Sequence, residues 1–186
     1  LEHQDDYVML CDQDDVWCPD KIERTLFAME KAEEQAGKET PVLVHTDLTV
    51  VDEDLRVLAS SYRHTVNGNW QRTALHWELA QNTVTGCTAM YNRALGDLLQ
   101  DEPSFFVMHD WWLALTASAF GLIVPLDEAT ILYRQHGDNA VGAKFVRSPR
   151  YLLRRLFDVK GYRKELAETF LQSESFYDAF RDRLSP

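Results

Sequence analysis

Near the start of the chain, Tyr7-Val8-Met9-Leu10-Cys11 is an unbroken apolar run. A run without polar alternation predicts a strand buried on both faces, as in parallel or mixed sheets. Asp12 to Cys18 then reads as a polar loop. Pro19 suits a first helical position, and Ile22, Leu26, Met29 and Ala32 recur at helical spacing until Gly37 stops the helix. Val42-Leu43-Val44-His45 predicts a second buried strand. The looser alternation from Leu48 to Leu58 is interrupted by an Asp52-Glu53-Asp54 turn. Gly68 and Asn69 mark a loop before a helix around Gln71 to Leu79. Thr83 to Met90 predicts a short strand broken by Gly86, and Asn92 to Leu99 a short helix. His109 to Phe120 is a stronger helix with Gly121 at its C-terminal cap. Leu122-Ile123-Val124 and Thr130-Ile131-Leu132-Tyr133 are two more strand candidates, and beyond Pro149 the pattern is helical to the end. Strands alternating with helices predict an α/β sandwich, with the last helices as an extension beyond a hinge near Gly142 to Pro149.

Composition narrows the class. The 186 residues are 45% hydrophobic, enough for one domain with a real core, and no internal repeat is visible. The net charge of −11 argues against nucleic acid as a partner. That charge is uneven: residues 144–164 carry eight basic side chains against the single acid Asp158, whereas residues 1–143 carry 24 acids against nine bases. An acidic body with a basic arm points to a membrane surface or a phosphorylated ligand. Cys11, Cys18 and Cys87 have no metal-finger spacing and read as reduced thiols of a cytoplasmic protein. No signal peptide is recognisable, and the longest uncharged run, Trp111 to Leu126, is too short to span a bilayer. A domain rarely opens on its central strand, so an N-terminal half is expected to be missing.

The most informative segment is Asp12-Gln13-Asp14-Asp15, placed directly after a buried strand. Open α/β sheets put ligands at the C-terminal ends of their strands. Three carboxylates in four residues repel one another, and a divalent cation relieves that; Mg²⁺ or Mn²⁺ favours such oxygen ligands. The bland alternative is a solvated acidic turn with Asp15 or Asp20 capping a helix. An EF-hand loop fails because Trp17 stands where glycine is needed. A haloacid-dehalogenase-like phosphatase fits Asp12, Asp14 and Val16, with Asp12 as nucleophile, but lacks a clear downstream lysine and second acidic pair. A non-catalytic binding or assembly module is the third class.

Asp12-Gln13-Asp14-Asp15-Val16-Trp17 with Pro19-Asp20-Lys21-Ile22 resembles the Asp-x-Asp region of family-2 glycosyltransferases, in particular the bacterial rhamnosyltransferase-like group. Four further segments follow in the family's order: His45-Thr46-Asp47-Leu48, Asn82 to Thr88 around Gly86, His109-Asp110-Trp111-Trp112, and Tyr133 to Asn139. The resemblance implies a partial GT-A-like fold, a Rossmann-like mixed-sheet α/β sandwich. Residues 1–145 would form the metal and acceptor side of the catalytic domain, and residues 146–186 a basic, amphipathic helical extension. The nucleotide-binding half and the Gln-x-x-Arg-Trp motif of processive synthases have no counterpart here.

The resemblance further implies inverting transfer of a sugar from a nucleoside-diphosphate sugar to a glycan or lipid-linked saccharide acceptor, in bacterial surface polysaccharide synthesis. Asp110 would be the general base, although a helix N-cap is the plain structural alternative. Asp14 and Asp15, with Asp12 close by and His136 as a further contact, would hold Mn²⁺ or Mg²⁺. Arg134 and His136 would neutralise the donor diphosphate. His45, Asp47, Gly86, His109, Trp111 and Trp112 would line the acceptor side, the two tryptophans serving equally well as core anchors. Interleaved bases and apolar residues in 144–164 suggest docking on anionic lipid at the inner face of the cytoplasmic membrane. Leu166, Phe170, Phe176, Phe180 and Leu184 are available for a coiled association between chains.

Overall fold

The structure is a computed structural model and describes residues 6–65, 69–99, 103–135 and 158–184. His136, most of the basic stretch and the boundary expected at 145/146 lie outside these residues. The strands are β1 (Tyr7–Met9), β2 (Val16–Trp17), β3 (Val42–Val51), β4 (Val57–Ala59), β5 (Ala89–Asn92) and β6 (Leu122–Arg134). The helices are α1 (Lys21–Ala36), α2 (Leu75–Glu78), α3 (Arg93–Gly96), α4 (His109–Phe120) and α5 (Val159–Phe180). The strands form one mixed sheet in the order β1-β5-β3-β6-β2, with β4 added to the far end of β3. β3 and β6 run parallel, and every other pairing is antiparallel. This is the expected mixed α/β architecture, part of a Rossmann-like sandwich.

Alternation along β3 explains the layering. Val42 and Val44 point to one face, where Met29 and Ala32 of α1 and Met90 of β5 cover them. Leu43 points to the other, packing with Tyr91, Ile123 and α4 residues Leu113, Ala114 and Ala117. A strand buried on both faces is thus a near-continuous apolar run. The C-terminal half of α5 adds a further layer, setting Phe176 and Phe180 against Trp112 of α4. Those two phenylalanines are spent in the core of their own chain, which removes them from any coiled contact between chains.

Several sequence expectations are corrected. β1 is a half-buried edge strand of the described sheet, not a central one. The segment read as a polar loop contains β2, because Val16 and Trp17 pair with Leu132 and Ile131 of β6. α1 begins at Lys21, two residues after Pro19. Its buried side is Lys21, Thr25, Met29, Ala32 and Glu33, while Ile22 is exposed. Polar members of that side are matched locally: the Thr25 hydroxyl donates to the Lys21 carbonyl at 2.7 Å, and Glu33 accepts from the Tyr7 hydroxyl at 2.7 Å. The helix expected at Gln71 to Leu79 shortens to Leu75–Glu78, and Gly86–Thr88 is a 3₁₀ turn leading into β5. The two strands expected on either side of Pro125 are one strand. Proline cannot donate to a ladder, and the pairing with β3 jumps from His45–Pro125 to Asp47–Ala129 across that irregularity.

Gly121 ends α4 with its amide donating to the Ala117 carbonyl at 2.9 Å. A Cβ there would lie 1.8 Å from the Pro41 carbonyl oxygen, so close approach between α4 and the start of β3 demands glycine. Asn92 ties the other corner. Its Oδ1 accepts from the amides of Val42 and Leu95, and its Nδ2 donates to Glu33 and to the Thr40 carbonyl.

Candidate functional site

The acidic loop leaves β1 and returns as β2 beside the end of β6, which brings residues distant in sequence together. Among the described residues, ligand atoms of Asp12, Asp15 and Cys87 lie within 4.8 Å of one another. Asp14 is half-buried and outside this grouping. Asp15 Oδ1 accepts from the Arg134 amide at 3.1 Å, which joins the acidic loop to the end of β6. Asp15 Oδ2 is buried; the Cys87 thiol is the weak donor beside this carboxylate, and no nitrogen or hydroxyl among the described residues donates to Oδ2. Burial pushes the Asp15 carboxyl above the usual carboxylate range, and the Arg134 amide opposes that shift. A buried carboxylate oxygen with only a thiol as neighbouring donor, beside a second carboxylate, is an arrangement that a hard cation completes.

Two neighbours of this cluster were not foreseen. Cys87 follows Gly86 in the 3₁₀ turn and is 3% exposed; burial and then Asp15 and Asp12 hold its thiol well above the ordinary range. It is therefore a neutral thiol, a weak ligand for Mg²⁺ or Mn²⁺. Lys21 is fully buried; its Nζ has no hydrogen-bond partner among the described residues and lies 5.0 Å from the centre of the Trp17 ring. Burial lowers its pKa to about 8, while the Asp15 carboxylate favours the charged form. The only available sequence signal was a lysine four residues before Thr25 and eight before Met29, on the side of α1 that turns inward. Nothing in the spacing tied Cys87 to Asp12.

Arg134 is half-buried; its guanidinium donates to the Glu53 carbonyl at 3.3 Å, so the loop after β3 and the end of β6 meet at this site.

A second constellation surrounds Asp110. Met108 occupies the N-cap of α4, so Asp110 stands within the first turn and is not the cap. It is 3% exposed. Its Oδ1 accepts from Asn82 Nδ2 at 3.1 Å and its Oδ2 from the Gly86 amide at 2.9 Å. Burial raises its pKa, with His109 and these donors pulling the other way. Asn82 Oδ1 in turn accepts from the Val84 amide at 3.0 Å, which fixes the amide so that its NH₂ faces the carboxylate. A Cβ on Gly86 would meet His109 Nε2 at 3.0 Å; the glycine allows the 3₁₀ turn to lie against the start of α4.

Glu78, also unforeseen, closes a ring of contacts. Its carboxyl accepts from the amide and hydroxyl of Thr83, and its carbonyl accepts from Trp111 Nε1 at 2.6 Å. Glu78 is fully buried, and burial raises its pKa to about 7. Trp111 is thus an anchor for α2 and Trp112 an anchor for α5, both within the core.

His45 and Asp47 are buried as well. Asp47 accepts from the amides of Leu48 and Arg63 and from the Ser61 hydroxyl, pinning residues 61–63 to β3. Arg63 Nη2 lies 3.0 Å from His45 Nδ1, and its guanidinium stacks over Trp70 at 4.2 Å. Burial and the Arg63 charge lower the His45 pKa to about 3. The structure therefore sorts the sequence candidates into an acidic cluster (Asp12, Asp15) tied to Arg134, a carboxylate cradle (Asp110, Gly86, His109) and a buried polar post (His45, Asp47).

Architecture and site together describe a mixed α/β protein with an acidic cluster in the loop that runs across the strand ends of its sheet. No family model matches the chain. It is similar to a Shigella flexneri protein named dTDP-rhamnosyl transferase RfbG, with 25% identity over 174 residues, 88% of this chain and 54% of the relative. The chain thus spans about half the length of that relative. This likeness supports a distant relationship to a glycosyltransferase. No helix among the described residues is long and apolar enough to cross a membrane.

Proposed function

We propose that this chain is the metal- and acceptor-side part of a glycosyltransferase. It moves a sugar from a nucleoside-diphosphate sugar to a glycan or lipid-linked acceptor, with inversion at the anomeric carbon. Bacterial surface polysaccharide synthesis at the cytoplasmic face of the membrane is the setting, and the name of the Shigella relative makes a deoxythymidine-diphosphate sugar the first donor to try. The observation that carries this reading is the pairing of Asp12 with Asp15, whose buried Oδ2 has no nitrogen or hydroxyl donor among the described residues.

Asp12 and Asp15 would hold Mg²⁺ or Mn²⁺ through hard oxygens, and the ion when bound supplies Lewis-acid stabilisation of the leaving diphosphate. The Arg134 amide holds Asp15 in orientation. Asp110 accepts the proton of the acceptor hydroxyl. Its raised pKa makes it a stronger base than an exposed aspartate, and the two donors that grip it keep it aimed.

The test is thermal stability of the full-length protein, its nucleotide-binding half included, with Mn²⁺ or Mg²⁺ crossed with uridine, deoxythymidine and guanosine diphosphates. A metal-dependent rise with one nucleotide, lost in Asp15→Asn, supports the reading, because a ligand of the native state raises its apparent stability. Asp110→Asn should keep that rise and lose sugar transfer. Absence of any metal–nucleotide response would refute it.

A further inference from the structure

Helix α5 changes character along its length. Its C-terminal half is docked: Gln172, Ser175, Phe176 and Phe180 are buried, with Gln172 accepting from the Val107 amide at 2.8 Å and Ser175 from the Phe105 amide at 3.0 Å. From Val159 to Leu171 the side chains are exposed, apart from half-buried Gly161, Glu168 and Thr169. Six large apolar residues are nevertheless presented to solvent; besides Tyr162 and Leu171, four lie in register, Val159 at 56%, Leu166 at 44%, Phe170 at 67% and Tyr177 at 59% exposure. Their spacing of seven, four and seven residues puts them in one stripe. At 100° per residue that stripe is turned roughly 120° from the docked side.

The stripe is symmetric in sequence. Val159 and Tyr177 are equidistant from residue 168, and so are Leu166 and Phe170. A second α5 crossing antiparallel level with Glu168 would set Val159 against Tyr177 and Leu166 against Phe170, over roughly 27 Å of helix. The charges beside the stripe obey the same symmetry. Lys160 and Arg163 flank its N-terminal end; Glu174 and Asp178 flank its C-terminal end on the same side, and all four are exposed. A two-fold axis reverses the helix while keeping that side in common, so each basic pair meets the acidic pair of the other copy. A parallel two-fold would set the two charged flanks on opposite sides of the pair and leave them without partners. Charge pattern therefore selects both the partner and the direction.

We propose that α5 is a homodimerisation helix, pairing antiparallel with α5 of a second copy through Val159, Leu166, Phe170 and Tyr177. This inference is independent of the glycosyltransferase reading.

Sedimentation velocity of the purified protein over a dilution series tests it. Wild type should show a concentration-dependent dimer. Arg163→Glu and Glu174→Arg should each weaken it by about tenfold, and the double reversal should restore it. A variant that merely failed to fold would not be rescued by the second charge change. Phe170→Glu should leave a monomer. A wild type that is monomeric at every concentration, or a dimer indifferent to the charge reversals, overturns the proposal. So does a monomer that binds anionic vesicles and loses that binding in Phe170→Glu, which would give the stripe to a membrane surface.

Discussion

Glu78 and His45 set opposite pH dependences of stability, and one substitution separates them. Burial raises the Glu78 pKa from 4.5 to about 7, so between these values the native state holds a proton that the unfolded chain has released. Stability must then fall as pH rises through that window, by 1.36 kcal/mol per unit, or about 3 kcal/mol in all. His45 does the reverse. Its pKa drops from 6.5 to about 3, so between these values the unfolded chain binds a proton that the native state refuses, and stability rises with pH by the same slope. From pH 4.5 to 6.5 the two contributions cancel in the wild type. Glu78→Gln leaves a neutral side chain of the same shape and removes only the falling slope. The stability difference, variant minus wild type, should therefore grow in the variant's favour by about 3 kcal/mol between pH 4.5 and 8. Urea unfolding followed by tryptophan fluorescence at several pH values measures it, and subtraction removes the other titrating groups. A difference that stays constant across the range, or that moves against the variant, would refute the buried-acid account.

Asp47→Ala should destabilise by about 2–4 kcal/mol, because the Leu48 and Arg63 amides and the Ser61 hydroxyl all lose their acceptor. Chemical unfolding gives the magnitude, and limited proteolysis should find new cleavage near residues 61–63. Gly121→Ala should cost about 1–3 kcal/mol by forcing the end of α4 away from Pro41, read as a lower melting temperature. In the proposed reaction, Asn82→Ala removes a donor from Asp110. The acid limb of kcat/KM should move up by roughly one pH unit while the metal–nucleotide thermal response stays unchanged.

Much of the fold was readable where periodicity alone decides. Helix α4 falls at His109–Phe120, where its pattern placed it, and β3 begins at Val42 as expected. The reading failed where a neighbour overrode local preference. Val16 and Trp17 have strand character, but only their pairing with β6 turns an acidic loop into β2. An apolar run such as Tyr7–Cys11 announces a strand without saying whether it lies at the centre or the edge. At the site, Asp12, Asp15 and Asp110 were readable as carboxylates in telling places. Cys87, Lys21 and Glu78 were not, since burial of a thiol, an ammonium and an acid depends on contacts far apart in sequence.

Glu78 links the stability of the fold to the geometry of the site. From Asp110 the chain of contacts runs through Asn82 to Thr83, across to the Glu78 carboxyl, and from the Glu78 carbonyl through Trp111 Nε1 back to the residue beside Asp110. Each member fixes the next: the Val84 amide orients Asn82, Asn82 and Gly86 orient Asp110, and Trp111 holds α2 against the start of α4. A carboxylate buried without such support would be costly and free to rotate. Gripped at both oxygens, it keeps one direction while burial raises its basicity. Burial of a second acid at Glu78 is the cost of closing this ring. The pH dependence of stability and the aim of Asp110 therefore share one physical origin.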